Sequence, residues 1–474
     1  MELFLSRRSL LDSRVVEGGH KLADRRSALD LAGVPERMPF VLGDDGSYDL
    51  RLNQFLRELP TMGVPAEKSW LAYARDVVTW ARFLAEQRGK TVWEAEQADV
   101  AAYHRVRRLS PPETAISSST WDRGIATLDK FYRWATANGH VHRPPFSYRA
   151  PRSSAFLPGR RQPEPVNLAK ERRGRRRPPG FVSVEDYLVF RDVGLRGRLP
   201  DGGPDPSFRG RHGHRNALFA ELLVTTGMRL GEAGTLLMAE LPASGGGKSV
   251  PLPLAPVVCK GGRGRTVRVP ARVLAAIGGY TELERQNALE GRYPQTADEG
   301  PEVVAIDGRA CAVMVDGRRF RVPLARMTPA HRMAAVAGDR CPLALWLTEA
   351  GTPVSDRAWE AVFHRGSARC RALGHPVEVS PHTLRHTFAV HMLSLLIREQ
   401  IGSLERPGGA DAATAPYRRL LGDPLQRLQR LLGHRSVVTT YVYLDSLAEA
   451  QWLVDDAVDR WAREICPEAG DSVA

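Results

Sequence analysis

Apolar positions keep helical spacing most clearly between residues 65 and 139. Trp70, Tyr73, Val77, Trp80 and Leu84 recur three and four apart after Pro65, one face of an amphipathic helix that ends near Gly89. Gln97 to Arg108 aligns Val100, Tyr103 and Val106, and Ser119 to Asn138 aligns Trp121, Ile125, Leu128, Phe131 and Ala135, with Gly139 where a C-cap belongs. Residues 60–146 therefore read as a small helical bundle. Residues 1–59 are mixed, hold turn formers such as GDDGS (43–47), and show no period that assigns them a role.

Between 147 and 180 this periodicity gives way to Pro, Gly, Ser and Arg, including the run RRGRRR (172–177). The segment reads as a linker. It is either a solvated tether or one that also touches a polyanion through Arg172, Arg173, Arg175, Arg176 and Arg177. Ser183 followed by Asp186 resembles a capping box, so a second domain spans 181–474. Within it, Arg215 to Leu237 reads as helix, Thr-Gly break and second helix. PVVCKGGRGRTVRVP (256–270) places two β-prone runs around a Gly-rich turn and predicts a hairpin; the two Asp-Gly turns of 302–324 predict a three-stranded meander. From Trp359 onward the pattern is again helical. The fold class is mainly α with small β-hairpins (α+β).

The 474 residues suffice for two or three domains. Hydrophobic residues at 43% and charged residues at 26% match soluble globular proteins and exclude wholesale disorder. No apolar run reaches the ~18 residues of a membrane span, and MELFLSRRSLLDSR interrupts its apolar start with charge too early for a signal peptide. Five scattered cysteines (Cys259, Cys311, Cys341, Cys370, Cys466) lack CxxC spacing and support neither a disulfide framework nor zinc. A cytoplasmic, nucleoid-associated protein is expected. Lys and Arg exceed Asp and Glu by 67 to 54, a net +13, which points to an anionic partner such as nucleic acid.

Four segments hold the polar residues of interest. In TTGMRLGEAGTLL (225–237), Arg229 opens a helix and Glu232 follows three residues later, a surface Arg with a helical partner or an anion-binding pair. The basic hairpin holds Lys260, Arg263, Arg265 and Arg268: a charge-protected edge, or a ribbon shaped for a DNA groove. In VSPHTLRHTFAVHML (379–393), His382 and Arg385 share one face near a helix N-terminus, where an anion is favoured; His386 and His391 are nearby alternatives. LQRLLGHRSVVTTYVYLD (428–445) ends a helix before His434 and carries Tyr441 and Tyr443, which suit packing as well as chemistry. No metal triad, Walker loop or Ser-His-Asp order competes with them.

Taken together and in order, Arg229, Lys260, His382-x-x-Arg385, His434 and Tyr443 resemble the tyrosine recombinases of the phage integrase family. TGMRLGEAGTL is similar to the family's first box, and SPHTLRHTFAVHML with LLGHRSVVTTYVYL to its second. The likeness covers about 180–450 in blocks, and the bundle at 60–146 resembles the family's core-binding (SAM-like) domain. The resemblance implies Tyr443 as the nucleophile that forms a 3′-phosphotyrosyl link and releases a 5′-hydroxyl. Free Tyr has a pKa of about 10 and must lose its proton on attack; His382 is implied as proton acceptor or hydrogen-bond partner. Lys260 is implied as general acid, His434 as a donor to the phosphate, and Glu232 as a brace. Arg229 and Arg385, forked permanent cations, suit the charge that builds on the non-bridging oxygens.

That link conserves the phosphodiester's bond energy, so no cofactor and no metal is expected, and activity should persist in EDTA. The implied partners are double-stranded DNA, gripped between two domains, a homotetramer on two DNA segments, and accessory DNA-binding proteins. Residues 446–466, with Leu447, Val454, Val458, Trp461 and Ile465, read as an amphipathic helix that packs within the chain or docks on a neighbouring protomer. Stretches at about 272–340 and 398–423 exceed a compact family member and read as insertions. The implied activity is site-specific recombination, integrating or excising a mobile element; nicking and religation in the manner of type IB topoisomerases, or DNA binding without catalysis on the same scaffold, are the alternatives.

Tyr441 is the rival nucleophile, on the opposite side of an extended stretch. Tyr443→Phe is expected to abolish covalent capture of DNA while Tyr441→Phe retains it; denaturing electrophoresis separates the two, and the reverse pattern transfers the assignment.

Overall fold

The computed structural model describes residues 1–7, 29, 34–64, 66–111, 113–149, 165–171, 180–243, 247–290, 303–315, 318–404 and 423–447. The chain divides into two compact units, Met1–Arg176 and Arg177–Ala474.

The first unit opens with an antiparallel pair, β1 (Glu2–Leu5) and β2 (Pro39–Leu42), followed by helices α1 (Leu50–Glu58), α2 (Glu67–Arg88), α3 (Gln97–Arg108) and α4 (Ser118–Ala137). Gly89 caps α2 at φ 61°, a left-handed geometry that a residue with a Cβ resists. The apolar stripes converge on one core in which Trp80, Trp121, Phe131 and Tyr132 are buried. Its polar tips are satisfied internally: Trp80 Nε1 donates to the Tyr132 hydroxyl at 2.8 Å, which donates to the Val92 carbonyl at 2.8 Å.

This core reaches beyond the bundle expected over 60–146. Leu52, Phe55 and Leu56 of α1 are fully buried within it, so part of the amino-terminal region belongs to the same fold. Part of the expected linker folds too. A short ladder joins β3 (Tyr148–Arg149) to β4 (Val166–Asn167), and Glu171 is paired with Arg108 at 2.6 Å. The arginines of RRGRRR lie outside the described residues.

In the second unit, α5 (Val184–Val189) runs into a π-helical turn, Phe190–Leu195. Helices α6 (Gly213–Thr226) and α7 (Leu230–Gly234) follow, then the antiparallel pair β5 (Ser249–Leu254) and β6 (Arg265–Pro270). Helices α8 (Ala271–Glu282) and α9 (Glu284–Glu290) lead to β7 (Val303–Asp307), β8 (Ala310–Val315) and β9 (Arg318–Pro323), the meander expected from the Asp-Gly turns. Beyond α10 (Pro329–Ala334), β10 (Ala335–Val336) adds to β7 in parallel. The remaining helices are α11 (Asp356–Ala372), α12 (Pro381–Leu404) and α13 (Pro424–Leu432). The fold is mainly α with small sheets.

The hairpin differs from its expected position. Its first strand is Ser249–Leu254, upstream of the Val-rich run, because Pro256–Val258 closes a 3-10 turn instead of extending. The strand tolerates Pro251 and Pro253 because it pairs on one side only, with Leu252 and Leu254 pointing into the core between them. Lys260 thus lies in the ten-residue connection 255–264, not at a strand end. The described residues of the stretch 272–340 include α8, α9, the β-meander, α10 and β10, and α12 carries 24 residues into the start of the second expected insertion. The rest of that insertion (405–422) and the 448–466 portion of the expected terminal helix lie outside the described residues.

The core of this unit is built on aromatic packing. Phe219 of α6 stacks on Trp359 of α11 with centroids 3.7 Å apart and planes 6° from parallel, and Trp346 meets Trp359 edge-on. The π turn bulges onto α11 through glycines. A Cβ on Gly194 would lie 2.9 Å from the Gly366 carbonyl and 3.0 Å from Cys370 Sγ. Gly194→Ala is therefore expected to destabilise the second unit by about 1–3 kcal/mol, measured as a lower urea midpoint; an unchanged midpoint would show that the contact has room to spare.

Candidate active site

Two helices of the second unit end at the same place, and a buried cation joins their ends. Gly227 terminates α6 at φ 65° and Gly433 terminates α13 at φ 65°. A Cβ at Gly227 would fall 2.3 Å from the Phe388 ring of α12, so glycine is needed here for both conformation and space. Arg385 on α12, with only 2% of its surface exposed, donates from Nη1 to the Gly227 carbonyl and from Nη2 to the Leu432 carbonyl at 2.6 Å. Both acceptors sit at the negative ends of helix dipoles, where terminal carbonyls otherwise lack partners. Burial, with Arg229 and Arg265 nearby, lowers the Arg385 pKa to about 9, which leaves it a cation at neutral pH.

Glu232 neutralises this cluster from beneath. It is 1% exposed; its Oε2 accepts from the Arg229 backbone N–H at 2.7 Å and its Oε1 from Arg229 Nη1 at 2.9 Å. Arg265 adds a fork, Nη1 to Oε1 at 2.6 Å and Nη2 to Oε2 at 2.7 Å, and its Nε donates to the Leu431 carbonyl. Burial pushes the Glu232 carboxyl up, yet the Arg265 hydrogen bonds and charge outweigh it and hold the group below its ordinary range.

Arg265 therefore departs from its expected DNA-facing position. In the β6 alternation its neighbours Thr266 and Arg268 point outward, but its own side chain is only 7% exposed and packs against Gly433. Arg263 and Arg268 are exposed, as is Lys260. These three line an open groove of about 1290 Å³ together with Arg427, Arg430 and Arg435 from the α13 side. The α13 cations had no counterpart in the sequence reading; the spacing of Arg427 and Arg430 on one amphipathic helix was the available signal.

The 3-10 turn Tyr441–Ser446 places the tyrosines differently. Tyr443 is 2% exposed, among Phe388, Leu393, Leu428 and Leu432, whereas Tyr441 is 47% exposed. The Tyr443 hydroxyl sits 3.0 Å from His386 Nδ1, and His386 Nε2 sits 3.0 Å from His382 Nε2. The direct neighbour of the phenol is thus His386, one turn further along α12 than His382. Its i, i+4 relation to His382 was the sequence signal for that pairing. On the other side, the His434 ring lies near parallel to Tyr443, 6.1 Å between centroids, and its Nδ1 is 3.0 Å from the buried Thr440 hydroxyl.

Electrostatics tie the cluster together. Burial raises the Tyr443 pKa while Arg385 and Arg229 pull it down, and burial prevails, so the phenol keeps its proton at neutral pH. Burial and the arginines Arg385, Arg229 and Arg265 lower His434 to about 4. Burial, His382, Arg385 and His434 lower His386 to about 4. His382 is also lowered, first by burial and then by Arg385, Arg229 and Lys260. Three neutral imidazoles and at least two guanidiniums therefore surround one phenol. His212 and His214 lie apart from this cluster, with His214 Nδ1 2.9 Å from Glu284; among the described residues no group of metal-ligating side chains is arranged to hold an ion. Among them, too, no helix is long and apolar enough to cross a membrane.

Glu232→Gln leaves Arg265 buried without its anion and is expected to cost the second unit about 3–5 kcal/mol, read by urea unfolding. The folded-state pKa of Glu232 lies below its unfolded 4.5, so the stability it supplies is complete above that value and lost as pH falls beneath it. The variant should lose part of the wild-type acid sensitivity; identical acid unfolding curves would refute the brace.

Comparison with known proteins finds relatives of both units. Residues 52–139 match the phage integrase N-terminal SAM-like domain, and residues 207–397 match the phage integrase family. The chain is 25% identical over 382 residues to tyrosine recombinase XerC of Pelobacter propionicus, covering 80% of this chain and 86% of that protein. It is 25% identical over 384 residues to XerC of Rhodospirillum centenum, covering 80% and 77%. A solved structure of the XerH site-specific recombinase bound to palindromic difH substrate, in a post-cleavage complex, aligns at 14% identity and a TM-score of 0.47, over 89% of this chain and 91% of that one. Across its helical first unit and its catalytic second unit, the chain belongs to the phage integrase family of tyrosine recombinases.

Proposed function

We propose that this chain is a site-specific DNA recombinase that breaks and rejoins strands through a 3′-phosphotyrosyl link at Tyr443, serving the integration or excision of a mobile element. One observation carries the reading: the buried Tyr443 hydroxyl is held in a cluster where Arg229 and Arg385 act on the phenol and on both His382 and His434. A tyrosine that merely packs has no call for two arginines and three histidines around its polar end. Like charges gathered at this cost in desolvation need an anion to hold, and a phosphodiester is that anion.

Arg229 and Arg385 hold the non-bridging oxygens, whose charge grows as the phosphorus becomes five-coordinate. His434 adds a third donor: when the Thr440 hydroxyl donates to Nδ1, the neutral ring carries its proton on Nε2 and presents that N–H to the phosphate. Lys260, on the exposed connection 255–264, protonates the departing 5′ oxygen. Glu232 and Arg265 hold Arg229 in place. The phenolic proton leaves toward His382. Exposed Arg263 and Arg268, with the groove cations of α13, bind phosphates of the flanking duplex and make affinity fall steeply with salt. Four protomers on two duplexes then exchange strands in pairs.

Nicked suicide duplexes tiled across the DNA that flanks the coding sequence test this directly. The wild-type chain is expected to form an adduct stable to denaturant, in EDTA as without it. Arg385→Lys, which replaces the fork by a point charge, should slow adduct formation by about 10²–10³-fold. No adduct on any duplex, or an adduct that survives Tyr443→Phe, overturns the reading.

A further inference from the structure

The phenol of Tyr443 has no path of its own to water: it is 2% exposed, and its polar neighbour is an imidazole that touches a second imidazole. Along this line exposure increases outward. Tyr443 is buried, His386 is partly buried, and His382 is exposed. Both contacts are 3.0 Å, and all four nitrogen and oxygen atoms involved are hydrogen-bonding groups in series.

We propose that His386 is a catalytic residue that relays the Tyr443 proton to His382, so that two imidazoles in line, rather than one, form the base. This rests on the reading of Tyr443 as nucleophile. Two neutral imidazoles that meet Nε2 to Nε2 share a single proton between them, which gives the chain one polarity. In the reactive polarity the Tyr443 hydroxyl donates to His386 Nδ1, and His386 donates from Nε2 to His382 Nε2. As Tyr443 Oη bonds to phosphorus and the P–O5′ bond breaks, the phenolic proton moves to His386 Nδ1 and the Nε2 proton of His386 moves to His382. The 5′ oxygen takes its proton from Lys260. The positive charge thus finishes on the exposed ring instead of the inner one.

That outcome follows from what faces His386. His382 and Arg385 approach it from its own helix, and His434 and Tyr443 from the carboxy-terminal segment; burial first disfavours a cation there, and the charge of Arg385 adds to it. A proton lodged on His386 would sit against Arg385. Passing one on at the same moment as receiving one avoids that state. The relay also explains why the nucleophile can be buried: the two rings substitute for bulk water as its proton outlet.

His386→Asn tests the relay, because the Asn side-chain oxygen stands near the place of Nδ1 and can still accept from Tyr443 but cannot pass a proton on. On a suicide duplex that the wild-type chain captures, with sulfur replacing the bridging 5′ oxygen so that the leaving group needs no acid, His386→Asn is expected to slow capture by about 10²-fold at pH 7. The deficit should shrink as pH rises, since a growing fraction of Tyr443 is then ionised before attack and has no proton to pass on. Histidine 15N spectra of the full chain give a second readout without DNA: His386 should carry its proton on Nε2 and His382 on Nδ1, assigned by the loss of a signal in His386→Asn. Capture within a few-fold of wild type, a deficit equal at every pH, or a His386 proton on Nδ1 overturns the relay. Wild-type protein that captures no duplex overturns the nucleophile reading itself.

Discussion

A buried carboxylate makes the rest of this site possible. Arg229, Arg265 and Arg385 repel one another, and a pocket that excludes water strengthens that repulsion. Glu232 sits among them with nearly all of its surface covered, accepting a two-pronged contact from Arg265 and two bonds from Arg229, one through the backbone. The anion offsets part of the cationic charge while leaving Arg229 partly exposed toward the pocket, with 29% of its side chain accessible. Arg265 is the buried half of the arrangement and Arg229 the half left accessible.

The helices supply the remaining compensation. Among the described residues Arg385 pairs with no carboxylate; its hydrogen bonds run to the last carbonyls of α6 and α13, the negative poles of both helix dipoles. Gly227 and Gly433 permit both chain ends to turn there, and the second glycine leaves room for the Arg265 stem. Position and charge are therefore set by the same atoms. The carbonyls that need a donor at each helix end receive it from the cations that need an acceptor. Tyr443 follows within eleven residues of Leu432, so the turn after α13 delivers the phenol back to the pocket that α13 helps to close.

Histidines complete the pocket in their neutral form. Burial and the surrounding guanidiniums keep His386 and His434 uncharged down to about pH 4. Neutral rings both donate and accept, which protonated ones cannot do. Fixed cations and neutral imidazoles thus share one pocket, and the neutral form of His386 and His434 holds across the physiological pH range.

The amino-acid sequence by itself determined the amphipathic helices of the first unit, the β-meander with its Asp-Gly turns, and the ordered set Arg229, Lys260, His382, Arg385, His434 and Tyr443, because periodicity and motif spacing are local properties of the chain. It did not place the first strand of the hairpin, since a Pro-containing strand reads as a loop until its partner is known. Nor did it distinguish Arg265 from Arg263 and Arg268: three arginines on one hairpin look alike until the packing of Gly433 and Glu232 turns one of them inward. His386 is the same case, one of three histidines on α12 until the 3-10 turn brings Tyr443 against it. Which side chain faces which, across separations of 33 residues for Glu232 and Arg265 and 57 for His386 and Tyr443, is decided only when distant elements pack, and that contact is what the tertiary structure adds.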